Sequence, residues 1–224
     1  VSPIGHLHTC YPEKFGVPRQ PGLVPAAWAE VVFTPEHRRA EAVRGLEGFS
    51  HVWLITQFHL IAEEAVQHTV RPPRLGGNER VGVFASRSPF RPNRLGLSLV
   101  KLEQVILDEP QSPKLKLSGI DCVSGTPVYD IKPYLPYCES LPEARAGFAP
   151  TAPEPCAVQW LHEPVGLDPL LRELIEQTLQ QLPVPAYLAV SEERLHHLKL
   201  EQWELRFKHT AGGVQILELL SCTA

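Results

Sequence analysis

The chain has 224 residues and a mass of 25.0 kDa, room for one large domain or for an ordinary domain with a small second one. Apolar residues make up 43% and charged residues 21%, which excludes a disordered tail or a coiled coil, and no run approaches the roughly 20 apolar residues of a membrane-spanning helix. The formal charge of −4 is unevenly spread: residues 71–101 carry seven basic side chains, six of them Arg, against Glu79 alone, a local surface suited to phosphates despite the acidic total.

In chain order, residues 29–34 read as a strand. A helix is expected next, with Thr34 as N-cap, Pro35 in the first turn, Ala40, Val43 and Leu46 on one face, and Gly45 and Gly48 closing it. Residues 50–60 (SHVWLITQFHL) are rich in β-branched and aromatic side chains, as a largely buried strand requires. Residues 81–85 read the same way. Residues 95–107 and 114–120 alternate apolar and polar side chains, the pattern of a sheet with one solvated face. Short strands separated by turn residues, with one helix and no βαβ alternation, indicate a mainly β fold, an antiparallel barrel or sandwich. Residues 139–155 contain Pro142, Pro150, Pro153 and Pro155 and read as a linker. Beyond it, a helix is expected from Asp168 to Gln181, stopped by Pro183 and Pro185, then a hairpin in which Trp203, Leu205 and Phe207 alternate and Gly212-Gly213 turns the chain. The expected organisation is a β-barrel over 1–138, the linker over 139–155, and a small α+β unit over 156–224.

The five cysteines include no Cys-x-x-Cys pair, so neither a disulfide framework nor a zinc knuckle is expected. His6-x-His8 lacks a nearby third ligand, and no metal is expected. His196-His197, being adjacent, cannot share a face of a regular element and reads as surface. No Gly-x-Gly-x-x-Gly, Walker A or Gly-x-Ser-x-Gly sequence is present, which leaves a Rossmann nucleotide site, a P-loop and a hydrolase elbow without support. Four segments instead combine donor-rich side chains with a rigid backbone: 14–22 (KFGVPRQPG), 71–78 (RPPRLGGN), 87–96 (RSPFRPNRLG) and 130–134 (DIKPY). Such loops preorganise ligand contacts at low entropic cost.

With these segments in view, the sequence resembles the TsaA-like family, known in bacteria as TrmO, of tRNA adenosine-37 methyltransferases. The resemblance spans nearly the whole chain and is densest in KFGVPRQPGL, VRGLEGFSHVWL, TVRPPRLGGNERVGVFASRSPFRPN, LGLSLVKLE and SGTPVYDIKPYLPY. It implies an N-terminal antiparallel β-barrel with a flanking helix, followed by the small α+β unit, in a cytoplasmic homodimer. It further implies S-adenosylmethionine held on the barrel, and methylation of the exocyclic N6 of threonylcarbamoyl-adenosine in a tRNA anticodon loop. Carried over by position, the methyl-donor contacts are Pro18, Arg19, Gln20, His59, Leu60, Arg87, Leu97, Ser118, Gly119, Ile120 and Asp121, with core packing the plain alternative for Leu60 and Leu97. Candidate proton acceptors are Asp121, Asp130 and His59. Arg71, Arg74, Arg91, Arg94 and Lys132 would serve tRNA, with Tyr134 and Tyr187 against the target base. The chain departs from the family where Asp-Pro-Arg-Pro-Ala-Tyr becomes Leu182-Pro183-Val184-Pro185-Ala186-Tyr187, and where Asn93 is followed by Arg94 rather than Pro. A non-catalytic module that binds the methyl donor for regulation is the competing reading.

Overall fold

The protein is described by a computed structural model covering residues 1–182 and 194–222; Pro183, Val184, Pro185 and Tyr187 lie outside them. Six strands close into a barrel: β1 (Gly5–Thr9), β2 (Trp28–Phe33), β3 (His51–Gln57), β6 (Leu95–Ile106), β7 (Lys114–Ser118) and β8 (Pro127–Pro133), in the order β1-β2-β7-β6-β3-β8. Every pairing around the ring is antiparallel. A two-strand ribbon, β4 (Thr69–Val70) with β5 (Val81–Gly82), stands in the long β3–β6 connection.

Closure follows from strict alternation. On β3, Val52 and Leu54 point inward at 0% exposure, while His51, Trp53 and Ile55 are half-exposed. Leu7, Val31, Val100, Leu115, Leu117 and Val128 supply the other inward positions, so each strand fills the interior with every second side chain. Strand β6 pairs with β3 through its first half and with β7 through its second, with a register shift between Leu102 and Gln104; a bulge of this kind bends a strand enough to turn the sheet onto itself.

The helix expected after Thr34 is not formed. Residues 40–43 and 46–48 make two 3-10 turns, and only Val43 of these is buried. Gly45 between them adopts φ 85°, a left-handed conformation that ends a turn rather than continuing a helix. Residues 83–85 are likewise a 3-10 turn after the short β5. Residues 130–133, grouped above with the rigid donor-rich loops, are part of strand β8, with Lys132 paired to Trp53.

After α1 (Pro136–Glu139), residues 140–157 carry no helix or strand and are largely exposed. Next come β9 (Val158–Trp160), α2 (Pro169–Gln180), β10 (Leu195–Leu200), β11 (Trp203–Thr210) and β12 (Gly213–Ser221). Asp168 caps α2 by accepting from the Leu170 amide at 2.8 Å, and Leu171, Leu174, Ile175 and Leu179 face inward on one stripe. The sheet order is β10-β11-β12-β9, with β9 parallel to β12, so the expected hairpin is half of a four-stranded sheet. His197 is exposed, while His196 is partly buried: its ring stacks on Phe207 at 5.3 Å and meets His209 edge-on at 4.9 Å. Barrel and second sheet share one continuous apolar core. Leu182, the last residue before the undescribed segment, packs against that core.

Candidate functional site

The connections that follow β1, β3 and β7 all leave the same end of the barrel. They are residues 10–27, 58–94 and 119–126. Ten of the methyl-donor residues named above lie on or within one residue of these loops, and Leu97 is the third residue of the strand that follows the second loop.

Side chains and backbone tie the loops together. The Arg87 guanidinium donates to Gln20 Oε1 at 2.6 Å, and Lys14 Nζ donates to the Leu60 carbonyl at 2.8 Å. The Gly22 amide donates to the Gly119 carbonyl at 2.9 Å, and the Ser124 amide to the Tyr11 carbonyl at 2.8 Å. Gly119 has φ 74°, and a Cβ there would sit 3.3 Å from the Gly22 Cα, so this crossing of two loops requires glycine.

Asp121 lies beneath the rim. Ser98 Oγ donates to its Oδ1 at 2.6 Å, and the Cys122 thiol approaches the same oxygen at 3.7 Å. Burial pushes its carboxyl above the ordinary carboxylate range, with the Ser98 bond and the Arg87 charge acting in the opposite sense. His59 is held below the usual imidazole value by burial and by His6 and Lys14 nearby, so it is neutral at pH 7. Asp130, the third candidate proton acceptor, is exposed, and its Oδ1 accepts from the Ile131 amide. Leu60 is 47% and Leu97 56% exposed, which removes core packing as their role. Ser118 donates its hydroxyl proton to Glu103 at 2.5 Å, which leaves a ligand its backbone and the hydroxyl's acceptor side.

The basic residues divide. Arg19 is held below the ordinary guanidinium value by burial first and by the Arg74 charge second. Arg74 also donates to the Thr151 carbonyl at 2.6 Å. Arg91 donates to the Ser86 carbonyl, and Arg94 to the Ile61 carbonyl and Glu63, so both brace their own loop. Lys132 and Tyr134 are not brought to the rim within one chain. Tyr134 packs its ring against His51 and Trp53, and its amide donates to the His51 carbonyl, at the far end of β3. Among the described residues, no group of three His, Cys, Asp or Glu could hold a metal ion.

Residues 6–140 match the tRNA-methyltransferase O N-terminal domain, and residues 154–221 match the TrmO C-terminal domain. The chain belongs to the TrmO family. It is 45% identical to the tRNA (adenine(37)-N6)-methyltransferase of Escherichia coli (strain K12), over 96% of this chain and 95% of that one. It is 44% identical to a putative S-adenosylmethionine-dependent methyltransferase, RcsF, of Pseudomonas aeruginosa, over 92% of this chain and 89% of that one. The crystal structure of TrmO from Pseudomonas aeruginosa superposes with a TM-score of 0.80 at 34% identity, covering 99% of this chain and 97% of that one.

Lys14 and Ser98 were not singled out from the sequence as site residues. Both stand inside segments that carry the TrmO resemblance, but a lysine beside a phenylalanine and a serine in an alternating strand give no signal of their own. Arg94 adopts φ 52°, uncommon for a residue with a side chain and closed to a proline, whose φ is locked near −65°. The loop turn here therefore depends on a residue other than Pro at this position. Arg94→Pro should cost ~3 kcal/mol, which lowers the melting temperature by roughly 6–12 °C for a chain of this size. Arg94→Gly, which keeps the turn, should shift it by less than about 4 °C; differential scanning calorimetry distinguishes the two.

Proposed function

We propose that this S-adenosylmethionine-dependent tRNA methyltransferase methylates the exocyclic N6 of threonylcarbamoyl-adenosine at position 37, in the anticodon loop, and works in the cytoplasm. The observation that carries the reading is the convergence at one barrel rim of Gln20, Arg87 and the buried carboxyl of Asp121, from three separate connections, beside the exposed Leu60 and Leu97. These residues fit the methyl donor. Arg87 takes its carboxylate, and Asp121 faces its amino group or ribose hydroxyls. Gln20, whose Oε1 is held by Arg87, keeps its amide N–H groups for the adenine edge. Pro18, Leu60 and Leu97 give apolar contact, and the Ser118–Ile120 backbone lies alongside.

When bound, S-adenosylmethionine supplies a methyl group on a positively charged sulfur: the S–C bond breaks, an N–C bond forms at N6, and N6 gives up its proton. The protein's part is alignment and proton management. His59, neutral at pH 7, and Asp121 are the two candidate acceptors at the rim. Arg71 and Arg74 take anticodon-stem phosphates, and the unpaired target base needs little energy to leave its stack.

The assay is incubation with labelled donor and tRNA from a strain lacking the gene, followed by digestion to nucleosides. Methylated threonylcarbamoyl-adenosine is expected, and Arg87→Ala should lower donor affinity about 10- to 100-fold, the ~1.5–3 kcal/mol of a charge-assisted bond. Donor binding with no product would instead favour the non-catalytic module, and no donor binding would eliminate both readings.

A homodimer is part of the proposal. The outer face of β3 and β6 places Trp53 opposite Leu99 and Ile55 opposite Leu97, an apolar strip on the outside of the barrel that suits a second copy. Sedimentation should give a species near twice the 25.0 kDa chain mass, and Leu99→Asp should shift it toward the monomer. A wild-type monomer at micromolar concentration would end the dimer proposal.

A further inference from the structure

The loop that carries Pro18, Arg19 and Gln20 is held from two sides. Toward the rim it meets Arg87, Leu60 and Gly119, as described above. Its other side rests on the C-terminal unit at points spread along its length. The Tyr11 hydroxyl meets Thr178 Oγ1 at 3.3 Å inside the core. Phe15 stacks on Phe207 with ring centroids 6.4 Å apart and planes 6° from parallel. Gly16, at φ 94°, lies so close to Leu198 that a Cβ there would run into its side-chain methyl. On the return side, the Ala26 amide donates to Gln177 Oε1 at 2.8 Å and Trp28 Nε1 to Glu201 Oε1 at 2.5 Å. The Glu201 amide closes the set by donating to the Cys10 carbonyl at 2.9 Å.

Phe207 and Leu198 are fully buried, and Phe207 stacks with both Phe15 and the ring of His196. The surface that Phe15 and Gly16 press against is therefore part of a packed core, which has no freedom to follow a wandering loop. Fixing one loop residue costs about 1–2 kcal/mol, and a loop ordered in advance spares the ligand that cost.

We propose that Leu198 and Phe207 of the C-terminal sheet are positioning residues for the methyl-donor site, setting donor affinity through the backbone of residues 14–20 without touching the donor. The proposal rests on the donor cradle described under the proposed function, and its test separates the two. Affinity for S-adenosylhomocysteine, the demethylated donor, is measured by calorimetry on the full chain, alongside KM for donor and for tRNA.

Leu198→Ala and Phe15→Ala should each weaken S-adenosylhomocysteine binding about tenfold and raise the donor KM in step, leaving the tRNA KM unchanged. Phe15→Tyr, which keeps the ring stack, should bind within about twofold of wild type. Val214→Ala, in the same sheet but paired with His209, should lower the melting temperature and leave donor affinity alone. Phe15 is 43% exposed, so its variants fold even if Leu198→Ala does not. Wild-type donor affinity in Phe15→Ala and Leu198→Ala, with Arg87→Ala still weakened, overturns the positioning role and leaves the cradle standing. Equal weakening by Val214→Ala also overturns it, since general loosening of the sheet would then suffice. Unchanged affinity in Arg87→Ala overturns the cradle, and the positioning role with it.

Discussion

The structure depends on closing six antiparallel strands into a ring. Once every strand runs opposite to its neighbours, the connections alternate between the two ends, and those after β1, β3 and β7 must emerge together. Residues separated by about a hundred positions, such as Gln20 and Asp121, thereby share one rim. The inward side chains make this geometry stiff: Val52, Leu54, Leu115 and Leu117 have no exposed surface, and a filled small barrel is a packed core rather than a pore. The β6 bulge between Leu102 and Gln104 lets one long strand serve two neighbours at different heights, which closes the ring and carries Ser98 to within hydrogen-bond distance of Asp121.

On that scaffold the chemistry is electrostatic. A carboxyl taken out of water is costly unless it is bonded or faces a cation. Asp121 has Ser98 and the thiol of Cys122 as partners and the Arg87 charge at longer range. The arrangement sets a carboxyl beneath a rim that carries the Arg87 guanidinium, matching a ligand with a cationic centre and a carboxylate at different points. The rim loops are short of regular structure, so glycine and proline fix their course: Gly119 where two backbones cross, and Gly16 where the first loop meets Leu198. The second sheet contributes from behind, as a wall and not as a lining.

Much of this was legible in the sequence because alternation is a direct record of burial. Leu95–Ile106 and Lys114–Ser118 fall where the pattern puts them, as does α2 with its Asp168 cap. Residues 35–48 were misread because three apolar residues at helical spacing outweighed Gly45, whose left-handed backbone breaks the run. Strand β8 was hidden by the prolines at both of its ends, and β10 by the assumption that two adjacent histidines must both face water, when His196 has Phe207 to stack on. The residues proposed for the donor site come from local segments carrying a family resemblance. Their mutual contacts could not be read there, because barrel register is a long-range property. Nor does the local DIKPY segment tell that β3–β8 pairing sets Tyr134 against His51 and Trp53, away from its own chain's rim. The backing of the first loop by Phe207 and Leu198 was likewise invisible, since nothing in residues 195–207 refers to residues 14–20.

The central claim is that three separate connections act as one cradle for the methyl donor. Amide hydrogen exchange, followed by mass spectrometry with and without S-adenosylhomocysteine, reads this directly, because each loop falls in its own peptides. The account predicts slower exchange on ligand addition in all three rim connections together, 10–27, 58–94 and 119–126, with the opposite end of the barrel around residues 107–113 unaffected. Protection confined to a single connection, or centred on residues 107–113, would contradict it.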